Sequence, residues 1–236
     1  LTYDKSVRDK WKLGIILGPI FLALGVFSAE AAIAIFGYLI AYAVFIDSGD
    51  WKDRLMRLLP YLLVVVAWRL IYNALGYGVF GSGFYLDPFR EPLRFSLNIL
   101  KQLPILLLGQ WVLPDPVLFA GLSTVGQLGF WLLAVLVLVF LALLISPIFG
   151  KIRRARFWSR GMLFARLPIC GTSLISGRHL LILSLGAIAL MSQYIASRLN
   201  KVDRTLFHER WKGFSLAIAI IFLSFHGVVY PIMAST

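Results

Sequence analysis

Residues 13–46 read LGIILGPIFLALGVFSAEAAIAIFGYLIAYAVFI, and Glu30 is the only charged side chain among them. As one straight helix these 34 residues would reach roughly 51 Å at about 1.5 Å per residue, well beyond a hydrocarbon core of about 30 Å. The run is therefore expected to fold back on itself. The break belongs at Ser28-Ala29-Glu30, because a carboxylate at a bilayer's centre costs a few kcal/mol or more, whereas at a hairpin tip it meets water or a cation. That predicts two spans, Trp11 to Phe27 and Ala31 to Ile46, with both outer ends on one face. Lys5, Arg8, Lys10 and Lys12 precede the hairpin, and Lys52, Arg54 and Arg57 follow it. Flanking cations mark the cytoplasmic side, which leaves Glu30 facing outward.

The composition agrees. With 60% hydrophobic and 14% charged residues and a mean hydropathy of +0.85, the chain lacks the polar surface of a soluble domain and reads as a polytopic membrane protein. Its net charge of +12 does not point to nucleic acid, because the cations fall in short clusters between apolar runs, where they orient helices. Cys170 is the single cysteine, so there is neither an intrachain disulfide nor a thiolate metal cluster. The order of residues predicts one transmembrane domain over 1–236, belonging to a longer protein.

Beyond the hairpin, Leu58 to Gly76 makes a third span, with Pro60 in its first turn and Arg69 about two-thirds along. That guanidinium either snorkels toward the outer headgroups or is buried against a partner such as Glu30. The glycine- and proline-rich stretch 77–124 cannot be one long span and is expected as an outer loop. Within it, between Glu91 and Trp111, Leu93, Leu97, Leu100, Leu103 and Leu107 recur at helical spacing, opposite Arg94, Asn98 and Lys101. This is the pattern of an amphipathic helix lying in the interface. Further spans are predicted over Gln127 to Phe149, Phe157 to Thr172, Leu180 to Ser197 and Phe214 to Ile232. The basic run KIRRARFWSR (151–160) separates the first two on the inner side. Seventeen of the 23 Lys and Arg then fall inside and four outside. The expected architecture is all-α: about seven transmembrane helices plus an outer interfacial helix, N-terminus cytoplasmic and C-terminus outside. Trp11, Trp51, Trp111, Trp158 and Trp211 are expected as interface anchors.

Two stretches resemble a known family. FSAEAAIAIFGYLIAYAVFID, Phe27 to Asp47, is similar to the "LLSKEQGITVLPLLLLYD" helix of the GT-C glycosyltransferases, above all the dolichyl-phosphate-mannose protein O-mannosyltransferases. LPICGTSLISGRHLLILSLGAIALM, Leu167 to Met191, resembles the same family's "LPVSNLF…ERYLYLPSLGFCLL" stretch, and the two occur in the family's order. Ala29, Gly177 and His179 stand where the family has Lys, Glu and Tyr. The outer-loop sequence GYGVFGSGFYLDPFREPL, Gly76 to Leu93, also resembles that of uncharacterised bacterial multi-spanning proteins.

The resemblance implies a GT-C fold in a bacterial inner membrane, with an outward-opening site that takes a sugar from a polyprenyl-phosphate carrier. No metal or other cofactor is identified. The implied partners are the lipid bilayer, the lipid-linked donor and other membrane subunits. An anionic phosphate at the outer headgroup level needs a cation with several donors, which a guanidinium supplies through its bidentate fork. Arg178, beside His179 at an outer turn, and Arg69 are the candidates, with Glu30 placed to orient one of them. Asp87 is the nearby acid able to act as base on an acceptor hydroxyl, although Asp87-Pro88 also suits a simple turn. His226, alone near the end of the last span, is expected to pack. The alternative function is a non-catalytic integral subunit packed within a larger membrane assembly.

Overall fold

The computed structural model describes residues 1–76, 86–111, 117–171 and 180–199, together with Gly213, Ala217 and Ile220. Among them every regular element is helical. A short helix α1 (Thr2–Arg8) leads into α2 (Lys12–Ser28). The long apolar run does break where the lone acid sits: α2 stops at Ser28, Ala29 is extended (φ −153°, ψ 123°), and Glu30–Ile33 forms one 3₁₀ turn before α3 (Ala34–Phe45). Ser28 donates its hydroxyl back to the Leu24 carbonyl at 2.7 Å, helping close the last turn of α2. There follow α4 (Trp51–Ala74), α5 (Pro92–Leu108), the single turn α6 (Val117–Ala120), α7 (Thr124–Lys151), α8 (Arg153–Arg166), a 3₁₀ turn over Ile169–Gly171, and α9 (Leu180–Leu199).

The tightest packing is between α3 and α8, which run antiparallel. A Cβ on Gly37 would lie 2.4 Å from the Ala165 nitrogen, and one on Gly161 would lie 3.4 Å from the Ala41 Cβ. Gly37-xxx-Ala41 thus meets Gly161-xxx-Ala165, two small-xxx-small faces that let the backbones approach closely. Tyr38, between the small residues of α3, donates its hydroxyl to the Leu183 carbonyl (3.0 Å) and accepts from the Gly186 amide (2.9 Å), tying α9 to the pair.

Two helices, Trp51–Ala74 and Thr124–Ser146, are long and apolar enough to cross a bilayer; Lys12–Ser28, Glu30–Phe45 and Ile182–Ser197 are apolar but shorter. Little of either long helix is buried, unlike the core helix of a soluble domain. On α7 Leu128, Leu132, Leu136, Val139 and Leu143 are exposed, as are Leu59, Leu62, Leu63, Val66 and Leu70 on α4. Outward apolar side chains of this density mark a surface that something apolar covers.

Several boundaries differ from the sequence reading. α4 begins at Trp51 rather than Leu58, because Asp50 precedes it in an extended conformation and Asp53, Arg54 and Arg57 find partners within the helix and its loop. Pro60 is consequently interior to α4. The basic run is not a loop: α8 starts at Arg153, one residue after α7 ends, with Ile152 as the extended corner. The span expected over 157–172 is a helix to Arg166 followed by the turn at 169–171. Trp111 is buried in the core with Leu144, Ile145 and Met191 rather than anchoring an interface. Trp158 is half-buried and packs on Phe157 and Tyr38. Of the span expected over Phe214 to Ile232 only Ala217 and Ile220 are described, both helical; His226 and Trp211 lie outside the described residues.

The helix expected between Glu91 and Trp111 is present as α5, turned differently. Leu93, Leu97 and Leu100 are exposed, while Gln102, Ile105 and Leu106 face the interior. Asn98, expected on the outer polar face, points inward and donates to the Cys170 carbonyl at 2.7 Å. The Cys170 carbonyl faces the core side of α5 and only a donor there satisfies it, which outranks the leucine periodicity.

Candidate functional site

The two ends of the helix array differ chemically. At one end, cations meet helix termini. Arg54 donates to the Ala43 and Gly49 carbonyls (3.0 and 2.7 Å), Arg57 pairs with Asp47 at 2.7 Å, and Arg153 donates to the Phe45 carbonyl at 3.2 Å. These arginines complement the carbonyl end of the α3 dipole. Tyr3 of α1 is buried there, edge-on to Tyr42 and Tyr61. Burial, followed by the nearby Asp47 carboxylate, pushes its phenol well above the usual tyrosine range, so it stays neutral.

At the other end a cavity of about 650 Å³ opens between the Glu30 turn, the last third of α4, the segment 86–89 with the start of α5, and the turn Ile169–Gly171. Each wall has a local cause. Trp68 and Tyr72 share a face of α4 at i, i+4, their rings 5.1 Å apart. The Asp87 carboxylate accepts the Phe89 amide at 2.9 Å, which starts a turn, and the Glu91 amide closes onto the Asp87 carbonyl at 2.8 Å. The Leu86 amide donates to the Gly171 carbonyl at 2.7 Å, so this segment is strapped to the turn after α8. Phe89 and Phe95 complete an aromatic wall.

Three of the five sequence candidates meet at this cavity. Glu30 and Arg69 line it; Asp87, between the lining residues Leu86 and Pro88, reaches it through Arg69. The pairing differs from the expected one. Arg69 Nη2 lies 2.7 Å from Asp87 Oδ2, with both side chains largely buried. Glu30 instead accepts a hydrogen bond from the Tyr72 hydroxyl, and both also rim a second cavity of about 260 Å³. Asp87 thus forms the turn considered for it and pairs with Arg69 beside the cavity. The wall carries two carboxylates and one guanidinium against aromatic rings, a surface that can hydrogen-bond hydroxyls while stacking on an apolar ring face. Arg178 and His179 lie outside the described residues.

One residue escaped the sequence reading. Arg166, which the hydropathy placed within a span, is fully buried, and its Nε, Nη1 and Nη2 atoms have no hydrogen-bond partner among the described residues. The signal was available: positions 162 and 170, one turn either side, are Met and Cys, so no acid can answer it along the helix. Among the described residues no group of three His, Cys, Asp or Glu side chains is placed to hold a metal. No family model, curated protein or solved structure matches this chain.

Proposed function

We propose that the chain is the membrane domain of a GT-C-like glycosyltransferase that takes a sugar from a polyprenyl-phosphate carrier at an outward-facing cavity. In this reading it spans a bacterial inner membrane about seven times, with the arginine-rich end cytoplasmic and the Glu30 end outside, as the distribution of cations supports. The observation that carries the reading is the open cavity itself. It is large enough for a sugar ring and bounded by acids, a guanidinium and aromatic faces, and it lies at the end of the array opposite the cation clusters.

The chemistry follows from the groups present. An aromatic wall of Trp68, Tyr72 and Phe89 receives the ring, and carboxylates accept its hydroxyls. A carboxylate, Asp87 in this reading, takes the proton of the acceptor hydroxyl as its oxygen bonds to the anomeric carbon. The bond from that carbon to the phosphate oxygen breaks, and the carrier leaves as polyprenyl phosphate. The test is transfer of a radiolabelled sugar from a polyprenyl-phosphate donor to a hydroxyl acceptor by the purified protein in lipid nanodiscs. Activity that Asp87→Asn lowers at least a hundredfold, with unchanged unfolding temperature, is the expected result; activity unaffected by Asp87→Asn removes Asp87 as base.

A second reading, a non-catalytic subunit of a membrane assembly, is favoured by one observation. Both cavity acids are already engaged, Asp87 by Arg69 and the Phe89 amide, and Glu30 by Tyr72. Recovery of the chain in a stable complex that has no transfer activity would support it.

A further inference from the structure

A separate cavity of about 330 Å³ lies at the arginine-rich end, between α1, the start of α2 and the first half of α4. That is at the small end of ligand pockets, roughly 300–1,000 Å³. Tyr3, Ser6, Asp53 and Arg57 supply most of its polar lining. Tyr3 is 3% exposed, and its hydroxyl has no hydrogen-bond partner among the described residues. A buried phenol that makes no hydrogen bond costs stability unless something outside the chain accepts from it. The Arg57 guanidinium is only partly engaged. Its Nη1 donates to both Asp47 oxygens (3.0 and 2.7 Å), whereas its Nη2 comes only within 4.0 Å of the Asp53 carboxylate.

Acceptors stand in the same lining. Asp53 lies one turn before Arg57 with its side chain 64% exposed. Ser6 gives its proton to the Tyr3 carbonyl at 2.7 Å, which leaves its oxygen able to accept. The cavity thus sets two donors suited to an anion beside two acceptors suited to a cation. The rest of its lining includes Ile15, Met56 and Pro60, the first two exposed. Met56, Pro60 and Leu63 follow one face of α4 at i, i+4 and i+7, and Leu59 and Leu63 are exposed as well. The cavity therefore runs on into the outward apolar surface of a helix long enough to cross a bilayer.

We infer that this cavity binds a membrane phospholipid whose headgroup carries both a phosphate and a primary ammonium. The phosphate accepts from the Tyr3 hydroxyl and the free edge of Arg57, the ammonium donates to Asp53 and Ser6, and the acyl chains follow Ile15, Met56 and Leu63. Phosphate oxygens suit a guanidinium edge that is not otherwise hydrogen-bonded. The exposed Lys10, Lys12 and Lys52 on the flanking segments would by themselves favour a net-anionic lipid. Asp53 repels such a lipid and attracts an ammonium, so the lining selects where the lysines only attract. The inference rests on the bilayer placement proposed above and not on sugar transfer, since the site lies at the end opposite the Glu30 cavity.

The test uses the whole chain in detergent micelles, with bound lipid counted by native mass spectrometry and thermal unfolding followed by tryptophan fluorescence. Phosphatidylethanolamine is the probe, phosphatidylglycerol the net-anionic control, and phosphoethanolamine the headgroup without chains. Expected for the unmodified protein are a bound phosphatidylethanolamine mass, an unfolding temperature several degrees higher, and a preference of about threefold over phosphatidylglycerol, the scale of one largely exposed charge pair. Tyr3→Phe deletes only the hydroxyl. Without lipid it should unfold no lower than the unmodified chain, because the lost group has no partner, yet it should bind phosphatidylethanolamine about tenfold more weakly, the worth of one charge-assisted hydrogen bond. Asp53→Asn should abolish the preference between the two lipids. Tighter binding of phosphatidylglycerol by the unmodified chain, affinity unchanged by Tyr3→Phe, a preference that survives Asp53→Asn, or an equal rise with phosphoethanolamine overturns the inference. A chain that stays in solution without detergent overturns it together with the membrane reading. Lipid binding intact in a protein without sugar transfer removes the transferase reading and leaves this site standing.

Discussion

Two Arg–Asp pairs, Arg57–Asp47 and Arg69–Asp87, have the same 2.7 Å contact and opposite settings. Asp47 is closed in by its own loop. Its side chain is 1% exposed, it accepts the Gly49 amide at 2.8 Å, and its partner lies ten residues on. The pair fixes a short connection between α3 and α4. Asp87 comes from a segment anchored elsewhere, through the Leu86 amide on Gly171, and its carboxylate straps that segment across the mouth of a cavity. Identical chemistry thus serves as a staple at one end and as part of a cavity wall at the other. An ion pair that only holds a fold gains from enclosure, whereas one that works on a ligand must sit where the ligand can compete for it.

The contrast depends on the two ends being joined rigidly, and Gly37 is where to break it. Gly37→Leu places a side chain against the Ala165 backbone, which cannot move aside as a side-chain tip would. We expect a loss of about 3 kcal/mol or more, since overpacking of a backbone-to-backbone crossing leaves no rotamer to absorb it. Cooperative unfolding in detergent should be lost or shifted far down. A wild-type unfolding temperature would mean that α3 and α8 do not cross at Gly37.

The two aspartates sharpen the comparison directly. Asp47→Ala leaves the Arg57 guanidinium and the Gly49 amide unsatisfied and is expected to cost about 2 kcal/mol, less than a fully buried pair because Arg57 keeps some solvent contact. It should leave binding of polyprenyl phosphate at the distant cavity unchanged. Asp87→Ala should cost about 1 kcal/mol and, on the transferase reading proposed above, remove sugar transfer. Comparable stability losses with no difference in activity would erase the distinction between staple and wall.

How much of this was legible follows from particular residues. The break at Ser28-Glu30 could be read because one acid in an apolar run has a single cheap location. The all-helical class followed from the same runs. Arg69, Glu30 and Asp87 were identifiable as charged groups out of place, but their pairing was not. Asp87 is 18 positions from Arg69 and is oriented by Gly171, a contact that no periodicity encodes. The inward turn of Asn98 was hidden because a leucine stripe reads the same whether it faces protein or lipid. The Gly37/Ala165 crossing was written in plain small-xxx-small spacing, but recognising it required knowing which two helices meet. For Arg166 the sequence showed that no acid stands one turn away along the chain, but its complete burial needed the packing of α8 against α3 and α9.

The smallest expected effect tests the finest feature of the cavity, the hydrogen bond from Tyr72 to Glu30. Tyr72→Phe keeps the ring stacked on Trp68 and deletes only the donor. Because Glu30 is exposed and water can replace the phenol, the loss of stability should be about 0.5 kcal/mol. Its effect on function should be larger than that number suggests. If Tyr72 holds the carboxylate toward the cavity, freeing it raises the KM for the lipid-linked sugar severalfold while kcat changes little, as expected for a group that positions substrate rather than reacts. Glu30→Gln keeps an acceptor for the phenol and should restore the geometry without the charge. A KM that follows Tyr72→Phe but not Glu30→Gln would assign the role to orientation. The reverse pattern would assign it to charge and place Glu30 beside Asp87 in the proposed transfer.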